Sequence, residues 1–143
     1  LTGEQMVSHN CWWGSKDIIS FCRTADGRNR YVHFKDLHGF VGIIGDNDFS
    51  LDGHPSVSSD GTWMLTDDYP DKSRFSRLYL YDIKNGKKFL LGKFFQPLIY
   101  DGEKRIDLHP KWCPGSRQIA FESGHKGKRT LYILNIGNVI KNE

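Results

Sequence analysis

The sequence predicts an all-β fold made of three consecutive antiparallel meanders. The first observation is a unit that occurs three times in the 143 residues and begins at His9, His54 and His109. Ten positions after each histidine stands an apolar residue, so the three histidines occupy equivalent positions of a repeat. The second observation is composition: Val, Ile, Phe, Tyr and Trp fill short runs between Gly-containing turns, and no stretch shows sustained helical periodicity.

Each unit can be divided into strands in order. The first strand carries the histidine, and Asp60-Gly61 or Pro114-Gly115 predicts a tight turn into the second strand of units two and three. The second strands are predicted at 18–22, 63–66 and 118–122, the third at 31–35, 78–81 and 131–134, and the fourth at 39–44 and 88–91. The third unit shows no clear fourth strand of its own, and residues 4–7 are a candidate for it.

Repeated four-stranded meanders of about 40–50 residues are typical of β-propeller blades. The sequence therefore predicts a single propeller fragment over residues 1–143, with blades at approximately 8–45, 53–95 and 107–143. Because propellers close with about four to eight blades, three blades leave two open edges. We expect a partial propeller or one half of an oligomeric one, whose remaining blades come from the same longer chain or from a second copy.

Composition argues against several classes of function. The net charge of +3 is too small, and the Lys and Arg residues are too scattered, to predict nucleic-acid binding. There is no run of 18 apolar residues, so we expect no membrane span. The three cysteines lack a CxxC spacing, which favours a reducing compartment and a cytoplasmic location. The Gly-x-Ser-x-Gly elbow, the P-loop and the dinucleotide fingerprint are absent from the sequence.

The second unit resembles the TolB-type propeller repeat, through His-Pro-x-x-Ser-x-Asp-Gly-x-Trp at 54–63 and Leu-Tyr-Leu-Tyr-Asp at 78–82. Within that class the chain is most similar to the oligogalacturonate lyase family, and the similarity lies in four segments: 53–56, 67–71, 107–112 and 122–125. The resemblance implies a complete propeller of seven blades that binds Mn²⁺ through histidines and a glutamine. His54 and His109 stand at the family's histidine positions, Asp107 replaces a further histidine, and the glutamine has no counterpart.

The repeat and the resemblance together point to a metal site. In a propeller the first strand of each blade starts near the central channel, so His9, His54 and His109 are expected to converge. Neutral imidazole suits a first-row divalent ion, and Asp107 adds an anionic oxygen. We predict His54 and His109 as ligands of Mn²⁺ or another divalent first-row metal, with Asp107 and His9 as weaker candidates. The alternative is that these histidines hydrogen-bond the neighbouring blade and fix its packing.

The lyase resemblance implies a second requirement, a group that binds the substrate carboxylate. A lyase acting on uronate polymers removes a proton α to a carboxylate, and the charge must be neutralised as the enolate forms. Lys104 and Arg105 shortly precede Asp107 and are predicted to clamp that carboxylate, with exposed loop charge as the alternative. The catalytic base is not identifiable.

Two functions from different classes remain open at the level of the sequence. The first is metal-assisted β-elimination of acidic oligosaccharides such as oligogalacturonate. The alternative is a non-catalytic TolB-like scaffold that binds protein or glycan, because a widely reused fold does not fix a function.

Three further groups of residues have structural interpretations. The residues three positions after each histidine are predicted to pack between blades: Trp12, Val57 and Trp112. An acidic cluster is predicted to be a solvated loop, with ion binding as the alternative: Asp67, Asp68 and Asp71. The histidines outside the repeat positions are predicted to lie on the surface: His33, His38 and His125.

Overall fold

The computed structural model describes residues 6–140, in which the strands form three antiparallel sheets. The first sheet contains β1 (Val7–Trp13), β2 (Asp17–Arg23), β3 (Asn29–Lys35) and β4 (Gly39–Ile44). The second contains β5 (Ser56–Val57), β6 (Trp63–Asp67), β7 (Phe75–Asp82) and β8 (Lys87–Phe95). The third contains β9 (Lys111–Trp112), β10 (Gln118–Ser123) and β11 (Thr130–Asn135). Strands that follow each other in the chain are neighbours in each sheet, so the predicted meanders are confirmed.

The third sheet has three strands within the described residues, and the suggestion that residues 4–7 complete it is wrong at Val7. Val7 belongs to β1, where it pairs with Cys22 of β2. The carbonyl of Met6 accepts a hydrogen bond of 2.8 Å from the backbone amide of Arg23, which continues this pairing toward the N-terminus. The backbone groups here are therefore already used by the first sheet, while residues 4 and 5 lie outside the described residues.

The turn between β5 and β6 forms where Asp60-Gly61 predicted it. Gly61 has a φ of 76°, in the left-handed region that glycine adopts without steric cost. Its amide donates to the carbonyl of Ser58, and Asp60 Oδ1 accepts from the Ser58 hydroxyl and from the amide of Thr62. These local bonds satisfy the turn and set the register of the two strands.

Two apolar clusters join the three sheets face to face. The first cluster lies between sheets one and two and includes Ile19 and Met64, while the second lies between sheets two and three and includes Leu65 and Ile119. The apolar residues found ten positions after each histidine (Ile19, Met64 and Ile119) are all fully buried. The second sheet is thus covered on both faces, because alternate side chains of a strand point to opposite sides.

The residues three positions after each histidine behave alike wherever a preceding sheet is present. Trp112 packs against the second cluster and donates from Nε1 to the carbonyl of Ser56 at 3.1 Å, and Val57 packs against the first cluster. The predicted packing between blades is confirmed for these two. Trp12 is 58% exposed, because no sheet precedes the first one in residues 6–140.

Residues 6–140 also contain no helix of the length and apolarity that a membrane span requires.

Candidate metal and anion site

The three repeat histidines lie side by side. The ring centroids of His9 and His54 are 4.1 Å apart, and those of His54 and His109 are 3.8 Å apart. His54 is buried in the middle, His9 is half-buried, and His109 is exposed. The strand starts of three successive sheets therefore bring three imidazoles to one place, as the repeat predicted.

One buried carboxylate accepts hydrogen bonds from both His54 and His109. Asp67, at the end of β6, accepts from the backbone amide of His54 at 2.7 Å and from the backbone amide of His109 at 3.0 Å. Its Oδ1 also lies 2.9 Å from Nδ1 of His54. Because the carboxylate can only accept here, Nδ1 carries the proton and Nε2 of His54 keeps a free lone pair. Asp67 thus selects the tautomer in which Nε2 is ready to bind a cation.

The backbone around Asp67 requires a glycine beside it. A Cβ on Gly53 would lie 1.9 Å from the carbonyl oxygen of Asp67 and 2.9 Å from the hydroxyl oxygen of Thr66. Because Gly53 has no side chain, the backbone that leads to His54 can approach the end of β6 closely. His109 has a φ of 44°, an uncommon value for a residue other than glycine. The bond from its amide to Asp67 supports that conformation.

Asp107 joins His54 and His109 to form a group whose ligand atoms are close enough together to hold a metal ion. One ligand atom from each of the three residues lies within 4.8 Å of the other two. Two imidazole nitrogens and a carboxylate oxygen are a donor set that suits first-row divalent ions. The residues present therefore fit such an ion.

The fourth predicted ligand, His9, is close by but its nitrogens face other groups. Its Nδ1 lies 3.2 Å from Oδ1 of Asp52, and its Nε2 lies 3.5 Å from the hydroxyl of Tyr69. His9 packs against His54 with the two ring planes tilted by 52°, and it is not part of the three-residue group.

Arg105 is the second charged group at the site, and it is paired with Asp107. Its Nε lies 2.6 Å from Oδ1, and its Nη2 lies 3.0 Å from Oδ2, which makes a bidentate ion pair. The guanidinium carbon also lies 4.2 Å from the centre of the Tyr69 ring. Lys104, the other predicted clamp residue, is exposed in a 3₁₀ turn, and its ammonium forms no ion pair with any residue of 6–140.

Burial affects the protonation of the site. His109 is exposed overall, but partial desolvation by the surrounding protein lowers its pKa, and the neighbouring His54 lowers it further. Burial also raises the pKa of Tyr69, with the carboxylates of Asp52 and Asp107 acting in the same direction. At neutral pH His109 is therefore an unprotonated imidazole with a lone pair to offer, and Tyr69 is a protonated phenol that can donate to Nε2 of His9.

The role of Asp67 as a partner of the histidines does not follow from the sequence interpretation, which places it in a solvated acidic loop. That prediction is wrong for two of the three aspartates in the cluster. Asp67 and Asp68 are both buried, and Asp68 forms an ion pair with Arg77, which also pairs with Asp71. A signal was present in the repeat: an acidic residue stands thirteen positions after the histidine in units two and three, as Asp67 and Glu122.

Two of the three histidines predicted to lie on the surface are half-buried instead. Nε2 of His33 lies 2.7 Å from Oδ1 of Asp17, and the ring of His125 lies 4.7 Å from that of Tyr132. Only His38 is exposed as predicted.

No protein-family model matches the chain, and no curated protein matches it. The solved structures that are similar in fold include two that align over nearly the whole chain. The crystal structure of TolB from Acinetobacter baumannii aligns with a TM-score of 0.70 at 20% identity, over 96% of this chain and 32% of that one. The chain has a TolB-like β-propeller fold.

The second similar structure is oligogalacturonate lyase from Vibrio parahaemolyticus. Its TolB-like propeller aligns with a TM-score of 0.64 at 21% identity, over 94% of this chain and 37% of that one. The chain therefore spans about a third of the length of each of these solved structures. These likenesses confirm the predicted fold class and the resemblance seen in the repeat.

Proposed function

We propose that this chain forms part of a metal-dependent lyase that cleaves acidic (uronate) oligosaccharides by β-elimination. The observation that carries the proposal is the convergence of His54, His109 and Asp107 with Arg105 beside them. A cation-binding group next to a guanidinium is what a uronate requires, because its carboxylate must be both bound and neutralised. The similarity to an oligogalacturonate lyase in fold supports this reading over other metal-dependent reactions.

The metal would be held by Nε2 of His54, a ring nitrogen of His109 and a carboxylate oxygen of Asp107. Mn²⁺ or another first-row divalent ion would supply Lewis acidity toward the charge that develops on the substrate carboxylate. Asp67 keeps His54 in the tautomer that binds, and Arg105 orients the sugar carboxylate. We assign the catalytic base to none of the described residues.

We propose further propeller blades as partners of the two outer sheet faces. Val57 and Trp112 each pack on the preceding sheet, so the exposed Trp12 at the equivalent position fits a preceding blade. On the opposite side, Leu131 and Ile133 of β11 are exposed apolar residues. Either a longer chain or a second copy of this one would bring such blades, and the native mass of the purified chain distinguishes the two sources.

A second candidate function is a non-catalytic scaffold, and one observation favours it. The histidines have structural partners, since Asp67 binds both His54 and the segment that carries His109, and Asp52 faces His9. These bonds connect neighbouring sheets whether or not an ion is present.

The test is the metal content of the purified chain, followed by titration of metal into the wild type and two variants. We expect one first-row ion per site and loss of binding in His109→Ala with the fold retained. His38→Ala is the matched control, because this histidine is exposed and outside the site. Release of unsaturated products from oligogalacturonate by the assembled protein then separates the lyase from the scaffold. A stable His109→Ala variant that binds metal as the wild type does would exclude the proposed ligand set.

A further inference from the structure

We propose that Arg105 and Asp107 are exchange partners, so that the site takes up a divalent cation and an anionic sugar cooperatively. This inference rests on the proposed function and adds a rule to it: each ligand raises the affinity for the other. The cation does not raise the affinity for a neutral sugar.

The starting point is that Asp107 belongs to two groups at once. It is one of three residues whose ligand atoms converge, and both of its oxygens are engaged by Arg105. A carboxylate offers about four lone-pair positions, of which the guanidinium uses two. A cation at His54 and His109 would therefore share Asp107 with a positive charge that already occupies it.

Sharing weakens both interactions. The cation and the guanidinium would lie on the same carboxylate and repel each other, and the side chain of Asp107 is only 14% exposed, so water screens the repulsion poorly. In the absence of sugar, Arg105 thus lowers the affinity of the site for a cation. A bound cation in turn loosens the hold of Asp107 on Arg105.

An anion reverses this effect. Arg105 lies over the ring of Tyr69, so a second contact keeps it at the site when Asp107 turns to the cation. Its planar fork matches a carboxylate in a bidentate geometry, and the side chain is 40% exposed and accessible to a ligand. A sugar carboxylate that replaces Asp107 neutralises Arg105 and removes the repulsion. Because binding linkage is reciprocal, the cation must raise the affinity for the anion by the same factor.

The experiment is a calorimetric titration of Mn²⁺ into the wild-type chain, alone, with saturating galacturonate and with galactose. Galactose is the matched probe, since it lacks the carboxylate. We expect galacturonate to lower the Kd for Mn²⁺ about 5- to 20-fold, within the usual range of coupling between sites, and galactose to leave it unchanged. Titration of Mn²⁺ into galacturonate alone corrects for direct chelation.

Two variants isolate the pair. Arg105→Gln removes the competing charge, so we expect it to bind Mn²⁺ about 5- to 10-fold more tightly than the wild type without sugar and to gain nothing from galacturonate. Lys104→Gln removes the same charge one residue away, where the ammonium forms no ion pair with any of the described residues, and should behave as the wild type. Asp107→Asn should bind galacturonate without Mn²⁺ more tightly than the wild type does, because Arg105 is released.

The outcomes separate the inference from the proposed function. If none of the proteins binds Mn²⁺, the cation site is absent and both proposals fail. If the wild type binds Mn²⁺ but Arg105→Gln binds it no more tightly, or responds equally to galacturonate, the exchange is wrong and the metal site stands. Equal galacturonate affinity of Asp107→Asn and the wild type would also overturn the exchange.

Discussion

Asp67 accepts hydrogen bonds from both the backbone amide and Nδ1 of His54, with Oδ1 at 2.7 and 2.9 Å from the two nitrogens. The same carboxylate accepts from the amide of His109, just before the first strand of the third sheet, at 3.0 Å. A single buried acid therefore aligns two neighbouring histidines and determines which nitrogen of His54 can bind a ligand.

Replacing Asp67 by Asn tests this alignment. The amide keeps the size of the side chain but loses the charge and one acceptor, so the His54 tautomer is no longer selected. We expect about 10- to 100-fold weaker metal binding, as for other groups that orient a metal ligand, together with a loss of about 1–3 kcal/mol in the free energy of unfolding. Metal titration and chemical denaturation measure the two effects. Asp101→Asn, at a side chain that is 78% exposed, should change neither.

Replacing Gly53 by Ala tests the close approach of its backbone to β6. The added Cβ would lie 1.9 Å from the carbonyl oxygen of Asp67, so the two segments must separate. We expect a loss of about 1–3 kcal/mol in unfolding free energy and weaker metal binding, because His54 moves with its neighbour. Gly42→Ala is the control, since its Cβ meets nothing within 4 Å. Similar stability of the two variants would contradict the argument.

The two matched tryptophans should respond differently to truncation in the dilute chain. Trp112 is half-buried against the second apolar cluster, and we expect Trp112→Ala to cost about 2 kcal/mol, less than the roughly 3–5 kcal/mol of a fully buried aromatic. Trp12 is exposed, so Trp12→Ala should cost no more than about 0.5 kcal/mol. Denaturant unfolding at low and high protein concentration measures both values. A Trp112→Ala variant as stable as the wild type would show that the sheets do not pack as described.

Stability should fall as the solution is acidified below about pH 6.5, and His125 should contribute to this. Burial lowers the pKa of His125, and the charge of Lys126 lowers it further. The unfolded chain then takes up its proton at a higher pH than the folded chain, so the folded state loses stability as pH falls from the unfolded pKa toward the folded one.

His125→Phe isolates this contribution, because a phenyl ring can keep the contacts with Phe94 and Tyr132 but does not titrate. Unfolding midpoints measured at about pH 7.5 and about pH 5.5 should differ less in this variant than in the wild type. The exposed His38→Gln variant should retain the full difference. An unchanged pH dependence in His125→Phe would assign the effect to other groups, of which His109 is the first because its pKa is also lowered.

The convergence of the histidines was predictable, while their partners were not. His9, His54 and His109 follow from the repeat, because equivalent positions in successive blades must lie near one another. Three nearby aspartates predict a solvated loop, yet Asp67 is buried and accepts a hydrogen bond from His109, which lies 42 residues further along the chain. Asp68 is also buried, and it pairs with Arg77 of the neighbouring strand. The sequence predicts Arg105 as a carboxylate clamp, but it does not reveal that Asp107 already pairs with this guanidinium.

The sequence by itself determined the strands, the meander order and the three equivalent histidine positions, since these depend on local alternation, turn residues and an internal repeat. Only the tertiary structure decided which acids face which histidines, that Arg105 engages Asp107 while Lys104 is exposed, and that Trp12 is left exposed. Those outcomes depend on contacts between residues that are far apart in the chain, or on side-chain directions that residue type and spacing do not specify.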